Sequence, residues 1–211
     1  MLKKLIFGAL GLIVLIIGII LVRTFSYGGE PVGQRVELPD TPVISADSAA
    51  QHLSEIIQFE TVTLSGGDPR PGQDGEWLAL HDWLSDTYPA AHAAMTREIV
   101  PGTLTLLYTW RGSDPSLKPI LLMAHQDVVP VNMGTESDWT GAPFAGEIID
   151  GYVYGRGAID DKGNLVGLME AADALAASGF QPKRTVLFMF GHDEEVLGSG
   201  AEAGIALLKS R

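Results

Sequence analysis

GYVYGRGAIDDKGNLVGLMEAADAL, residues 151–175, is the stretch that decides the fold, and Asp160 lies at its centre. Gly155 and Gly157 permit backbone angles that side chains disfavour, which predicts a short strand followed by a tight turn. Apolar residues then recur at helical spacing: Leu165, Leu168, Met169, Ala172 and Leu175. The pattern places Asp160 at a junction between a loop and a helix, where α/β proteins usually build a site.

Composition and charge exclude several classes of partner. The 211 residues carry a formal net charge of −12, and no basic patch is present. Because proteins bind phosphate backbones through clustered Lys and Arg, a nucleic-acid partner is not expected. The chain has no cysteine, so any metal site must use histidine and carboxylates.

The N-terminus has the pattern of a membrane anchor. Lys3 and Lys4 precede an uncharged apolar run over 5–22, about the length that spans a bilayer. We predict an uncleaved single-pass anchor over 1–23; a cleaved signal peptide is the alternative. Lysines before the run and prevailing acids after it place the N-terminus in the cytoplasm and the rest on the outer, periplasmic or extracellular, side.

Domain organisation follows from the composition beyond this run. Residues 24–44 carry glycine, proline and scattered charges without periodicity, which predicts a linker. Residues 45–211 then form the folded domain. Its first helix is expected to use Ser45 or Asp47 as its N-cap.

Apolar periodicity predicts a mixed sheet covered by helices. A glycine- and proline-rich loop over 61–75 leads into a helix over 76–88, in which Trp77 and Trp83 are expected to pack in the core rather than line a ligand site. The predicted strands are 97–100 and 103–110, which form a hairpin, then PILLMA at 119–124 and TVLFMF at 185–190. Both continuously apolar runs predict strands buried on both sides. The expected fold class is a three-layer α/β/α sheet with a partly antiparallel edge.

Potential ligands follow each apolar strand. PILLMA runs into His125-Gln126-Asp127, and TVLFMF runs into Gly191-His192-Asp193-Glu194-Glu195. Ligands of open α/β sheets collect at the carboxyl ends of strands, so we expect these residues to meet Asp160. On an extended chain His125 and Asp127 share one face, so the carboxylate can accept a hydrogen bond from the imidazole and leave its other nitrogen for a metal.

The paired glutamates suggest a division of roles. Their side chains leave an extended chain in opposite directions, so one can bind a metal while the other holds a water. Zinc lowers the pKa of a bound water toward about 7, and a free carboxylate can take its proton. Asp160 can bridge two metals. The His125-x-Asp127 motif or the Glu194-Glu195 pair alone usually belongs to a solvated surface. Acidic clusters also bind calcium, but the presence of a histidine favours zinc.

Three longer motifs carry a family resemblance. They are HQDVVPV at 125–131, WTGAPFAGEIIDGYVYGRGAIDDKG at 139–163 and GHDEEVLGSGA at 191–201. The chain resembles the di-zinc metallopeptidases that include carboxypeptidase S, aminoacylase and succinyl-diaminopimelate desuccinylase. The GHDEE motif is most similar to the branch of carboxypeptidase S and the N-acyl-amino-acid hydrolases.

The resemblance implies roles for individual residues. His125 would bind one zinc, Asp160 would bridge both ions, and Glu195 would bind the other. Asp127 would orient His125, and Glu194 would act as the general base. A cis peptide is expected between Asp160 and Asp161.

The central motif also contains two cations. Arg156 and Lys162 are expected to be structural partners of nearby acids rather than substrate anchors.

The resemblance also implies a departure from the complete family pattern. Family members carry a further acidic ligand, a late histidine and an inserted domain for dimerisation, none of which occurs before Arg211. The expectation is therefore an N-terminal part of the catalytic domain with three of five protein ligands.

Two functions are left open by the sequence. One is a zinc-dependent exopeptidase or N-acyl-amino-acid amidohydrolase that cleaves an amide next to a free carboxylate. The other is an inactive, membrane-tethered fragment of such an enzyme. A solute-binding module is a weaker third reading, because the Glu194-Glu195 pair favours hydrolysis.

Overall fold

The computed structural model describes residues 2–27, 41–66 and 74–211. The chain divides into two compact units, Met1–Thr41 and Pro42–Arg211. The first unit contains helix α1, Leu2–Ser26. Within it, Ile6–Ser26 has a mean hydropathy of 2.8, which makes it long and apolar enough to cross a membrane. Of the predicted linker, residues 28–40 lie outside the described residues, as do 67–73 of the predicted loop.

The second unit alternates helices and strands. The helices are α2 Ala46–Ile57, α3 Gly75–Thr87, α4 Pro89–Ala94, α5 Lys162–Ala177 and α6 Gly200–Lys209. The strands are β1 Thr96–Ile99, β2 Leu106–Trp110, β3 Ile120–His125, β4 Glu147–Ile149, β5 Tyr152–Tyr154 and β6 Val186–Gly191. Ser45 is the N-cap of α2, and its side chain accepts a hydrogen bond from the amide of Ser48.

The main sheet is mixed, as predicted. Its strand order is β1-β2-β6-β3. The β1–β2 pair is the expected antiparallel hairpin, and its turn uses Gly102 at a φ of 76°. Strand β6 is antiparallel to β2 but parallel to β3, so β3 and β6 end at the same edge. A separate hairpin, β4–β5, was not predicted as a pair.

Two apolar clusters on opposite faces of the sheet create the three layers. Tyr108 and Phe190 point into the larger cluster, which also contains buried residues of α2, α3, α4 and α5. Leu107 and Met189, one position away on the same strands, belong to the smaller cluster against α6. This alternation follows from the period of two in a strand. The predicted α/β/α layering is confirmed.

The burial of strand β3 differs from the prediction. PILLMA was predicted to be buried on both sides, but Ile120 is 41% exposed and Met123 is 47% exposed. Among the described residues β3 pairs only with β6, so it lies at an edge of the sheet. The run TVLFMF does form a buried central strand, because β6 has a neighbour on each side.

Helix α3 bears out the expectation for the tryptophans. Trp77 is buried in the core, and Trp83 packs against the larger cluster while its ring N–H donates to Glu55 at 3.0 Å.

The short helix α4 was not predicted. It begins at Pro89, whose missing N–H is tolerated in a first helical turn, and this separates α4 from α3.

Candidate metal centre

Three separate segments meet at the carboxyl ends of β3 and β6. His125 is the last residue of β3, Asp160 immediately precedes the N-cap residue of α5, and Glu195 follows β6. One ligand atom from each of these side chains lies within 4.8 Å of the other two. The structure therefore brings together the three residues that the sequence predicted as metal ligands.

The ring of His125 is held by both of its nitrogens. Its Nδ1 lies 3.0 Å from the backbone carbonyl oxygen of Asp127 and 3.3 Å from Asp127 Oδ1. Its Nε2 lies 3.0 Å from Asp160 Oδ1. Burial lowers the pKa of His125, but the contacts with Asp127 and Asp160 outweigh burial and raise the pKa to about 9. The ring orientation thus points Nε2 toward the carboxylates of Asp160 and Glu194.

Asp127 is the centre of the hydrogen-bond network behind the predicted ligands. Its buried carboxylate accepts hydrogen bonds from the backbone amides of Glu194 and Glu195 at 3.0 and 3.1 Å. It also accepts one from Thr63 Oγ1 at 2.8 Å. Burial raises the pKa of Asp127, but the bonds from His125, Thr63 and the two amides together hold it below its usual value. The Asp127 carboxylate therefore connects the chain after β3 to the turn Glu194–Val196, which we call the glutamate turn.

The turn before α5 has the geometry expected from the resemblance. The peptide bond between Asp160 and Asp161 is cis. Asp161 Oδ2 accepts a hydrogen bond from the backbone amide of His125 at 3.2 Å, which joins the turn to β3. The side chain of Asp160 is 75% exposed and so remains accessible to a ligand.

The two cations of the central motif have partners other than those predicted. Lys162 is fully buried, and its Nζ donates to the carbonyl oxygens of Ile56 at 3.0 Å and Phe59 at 2.5 Å, at the end of α2. Burial lowers the pKa of Lys162 to about 7. Arg156 lies over the ring of Trp139, 5.1 Å from its centroid. Within residues 41–66 and 74–211, the contacts found are therefore with carbonyls and an aromatic ring, whereas the prediction named acids.

The two glutamates occupy a short 3-10 turn, Glu194–Val196. The predicted extended chain is therefore wrong at this point, although the two side chains still differ in environment. Glu195 belongs, with His125 and Asp160, to the three residues whose ligand atoms converge, which we call the donor group. Glu194 is 57% exposed, and its Oε2 lies 3.8 Å from His125 Nε2. Burial, followed by the charge of Asp160, raises the pKa of Glu195 above its usual value.

The donor group fits a zinc ion. One imidazole nitrogen and two carboxylates are ligands that zinc accepts, and the second nitrogen of His125 already has a partner that orients the ring. Burial is the largest cause of the raised pKa of Glu195, and the negative charges of Asp160, Asp127 and Glu194 add to it; a divalent cation would relieve this repulsion. A cleft of about 420 Å³ opens beside the group and is lined in part by His125, Asp161 and Glu194.

Sequence reasoning missed a second layer of side chains around the His125-Gln126-Asp127 segment. The amide nitrogen of Gln126 donates to the carbonyl oxygen of Phe190 at 2.8 Å, and its oxygen lies 2.7 Å from Nε2 of His81. Because the amide oxygen can only accept, His81 Nε2 carries the proton. The helical pattern of α3 marks His81 as buried, but no local signal connects it with Gln126, 45 residues away.

The buried ring of His81 predicts an acid-sensitive fold. Burial lowers its pKa from 6.5 to about 4, so the folded chain keeps it neutral while the unfolded chain is protonated between these values. The unfolded state then binds more protons, and this group alone removes about 3 kcal/mol of stability as the pH falls from 6.5 to 4.

Urea unfolding of the zinc-free protein at several pH values measures this effect. His81→Gln retains an N–H donor but does not titrate, so we expect a smaller loss of stability over the same pH range. Equal losses in the wild-type and variant proteins would assign the acid sensitivity to other groups.

Comparisons with known proteins place this fold. Human carnosine dipeptidase 1 superimposes with a TM-score of 0.57 at 24% identity, over 71% of this chain and 32% of that one. The dipeptidase Dug1p of Saccharomyces cerevisiae gives a TM-score of 0.52 at 25% identity, over 71% of this chain and 35% of that one. The fold of this chain, with its mixed sheet, is therefore similar to that of known dipeptidases.

Sequence comparison relates the chain to a peptidase family. Residues 121–211 match the profile of peptidase family M20/M25/M40. Carboxypeptidase S of Saccharomyces cerevisiae is 42% identical over 76% of this chain and 28% of that protein. An N-fatty-acyl-amino acid synthase/hydrolase of Danio rerio is 34% identical over 94% of this chain and 39% of that protein. The chain thus spans less than two fifths of either relative, and the resemblance drawn from the three motifs is confirmed.

Proposed function

We propose that this protein is a zinc-dependent hydrolase that cleaves an amide bond next to a free carboxylate in peptides or N-acyl amino acids. The convergence of His125, Asp160 and Glu195 within 4.8 Å, with Glu194 beside them, is the observation that carries the proposal. The names of the relatives, a carboxypeptidase and a synthase/hydrolase of N-fatty-acyl amino acids, support the two substrate classes.

The metal would be held by His125 Nε2 and by carboxylate oxygens of Asp160 and Glu195. We propose that two zinc ions would be held here, and that Asp160 would contribute ligand oxygens to both. When bound, zinc lowers the pKa of a water ligand toward about 7 and polarises the substrate carbonyl.

The remaining chemistry belongs to Glu194 and Asp127. Glu194 takes the proton of the attacking water on Oε2 and later donates it to the leaving nitrogen, so that the amide becomes a carboxylate and a free amine. Its exposed carboxylate, close to the donor group but outside it, suits this role. Asp127 keeps the His125 ring in place throughout, because it is buried and bonded on both oxygens.

Metal content and hydrolysis together test the proposal. We expect the purified full chain in mild detergent to hold about two zinc ions and to hydrolyse N-acyl amino acids or dipeptides. Matched substrates whose carboxylate is converted to an amide are expected to react far more slowly. Hydrolysis that persists after zinc removal, or equal rates on both substrate sets, would contradict it.

A second candidate is the same domain without hydrolytic activity. In residues 41–66 and 74–211, the group of His125, Asp160 and Glu195 is the one cluster of three or more potential ligands. Two zinc ions with four ligands each need more donors than this group supplies. Bound zinc without turnover above the rate in buffer would favour this candidate.

We also propose that residues 1–23 anchor the protein in a membrane, that 24–44 form a linker and that 45–211 form the hydrolase domain on the outer side. The length and hydropathy of α1 support the anchor. The protein is expected to stay with membranes during an alkaline carbonate wash, and deletion of residues 2–26 is expected to release it. A mature N-terminus located beyond this helix would instead identify a cleaved signal peptide.

A further inference from the structure

A short segment outside the main sheet supports the residues behind the metal centre. Residues 61–63 run parallel to the chain at Val128, where a single bridge joins Val62 and Val128. The amide of Thr63 donates to the carbonyl oxygen of Val128 at 3.2 Å, and the amide of Val128 donates to that of Thr61 at 3.0 Å. The backbone of this segment is therefore fixed beside the His125-Gln126-Asp127 segment.

The two threonines of this segment have similar burial but different hydroxyl partners. Both Thr61 and Thr63 are buried. Thr61 Oγ1 donates to the backbone carbonyl oxygen of Gln126 at 2.6 Å. Thr63 Oγ1 donates instead to the carboxylate oxygen Oδ2 of Asp127 at 2.8 Å. Only the second bond reaches a side chain of the network behind the ligands.

The direction of the Asp127 carboxylate depends on this bond. Oδ1 accepts the amide of Glu194 and faces the ring of His125, while Oδ2 accepts the amide of Glu195 and the hydroxyl of Thr63. If the hydroxyl is removed, Oδ2 keeps one of these two donors. Water does not readily take its place, because Asp127 is fully buried.

We propose that Thr63 is a positioning residue for the metal centre. Its hydroxyl sets the rotation of the Asp127 carboxylate, which in turn orients the His125 ring and holds the amides of Glu194 and Glu195. This inference rests on the proposed function for its effect on zinc. Its effect on the glutamate turn is a property of the protein without metal.

The experiment compares three variants of the full chain in detergent. Thr63→Val removes the hydroxyl but keeps the shape, Thr63→Ser keeps the hydroxyl, and Thr61→Val removes the equally buried hydroxyl that bonds only to backbone. Zinc affinity is measured by competition with a chromophoric chelator. Hydrogen exchange at the amides of Glu194 and Glu195 is measured by NMR in the zinc-free protein.

Thr63→Val is expected to weaken zinc binding by about tenfold to a hundredfold and to accelerate exchange at both amides by about tenfold. Thr63→Ser should restore both values to within about threefold of wild type. Thr61→Val should leave both near wild type even where it lowers the unfolding temperature.

Equal effects of Thr63→Val and Thr61→Val on affinity and exchange would overturn the proposal, because they would show a general loss of stability. Unchanged exchange in Thr63→Val would overturn it as well. If the wild-type chain binds no zinc, the proposed function fails, and amide exchange alone then decides the role of Thr63.

Discussion

Replacing Asp160 with alanine is expected to weaken zinc binding by more than about a hundredfold. Loss of a partner behind a ligand costs about tenfold to a hundredfold in metal affinity, and loss of a ligand should cost more. The carboxylate of Asp160 lies 3.0 Å from His125 Nε2 and belongs to the three-residue donor group. In the proposed arrangement it serves both ions, so neither site keeps its full set of ligands.

Zinc titration against a chromophoric chelator measures this loss. The fold should persist, because the Asp160 side chain is 75% exposed and contributes little to the core. Asp86→Ala, which removes an exposed acid from α3, is the matched control for the change in net charge and is expected to bind zinc like wild type. Equal zinc affinity in Asp160→Ala and Asp86→Ala would remove Asp160 from the metal site.

The second large effect is expected at Glu194. Glu194→Gln should lower kcat by about a hundredfold to ten thousandfold, because an amide cannot accept the proton of the attacking water. Zinc affinity should stay within about threefold of wild type, since Glu194 lies outside the donor group. The two measurements are steady-state hydrolysis of an N-acyl amino acid and chelator competition on the same preparation.

Glu195→Gln is the matched comparison, because it makes the same chemical change one residue along the same turn. It is expected to weaken zinc binding, since Glu195 belongs to the donor group. If Glu194→Gln loses zinc while Glu195→Gln keeps it, the two roles are exchanged. Normal turnover in Glu194→Gln would show that another group accepts the proton.

Local patterns predicted those parts of the fold that depend on neighbouring residues. The hairpin β1–β2, the N-cap at Ser45 and the helix after Asp160 follow from turn residues, capping chemistry and helical spacing. The edge position of β3 did not follow, because continuous apolarity reports what a strand can bury and does not report how many strands flank it.

In the site, too, local patterns predicted some features and not others. The sequence predicted that His125, Asp160 and Glu195 converge, because each follows or precedes an element whose end lies at one edge of the sheet. It did not predict the bonds of Asp127 to Thr63 and to the amides of the glutamate turn, which join residues 64 to 68 positions apart. Backbone amides and a threonine hydroxyl carry no signature of such partners in a single chain.

The sequence by itself predicted which residues could act as donors. It also determined the alternation of helices and strands and the apolar N-terminal helix, since these depend on residue type and on spacing over one or two turns. Only the tertiary structure decided how the donors are held. Burial of Asp127 and Lys162 obliges each to find hydrogen-bond partners from distant segments, and the choice of partners depends on how the chain packs.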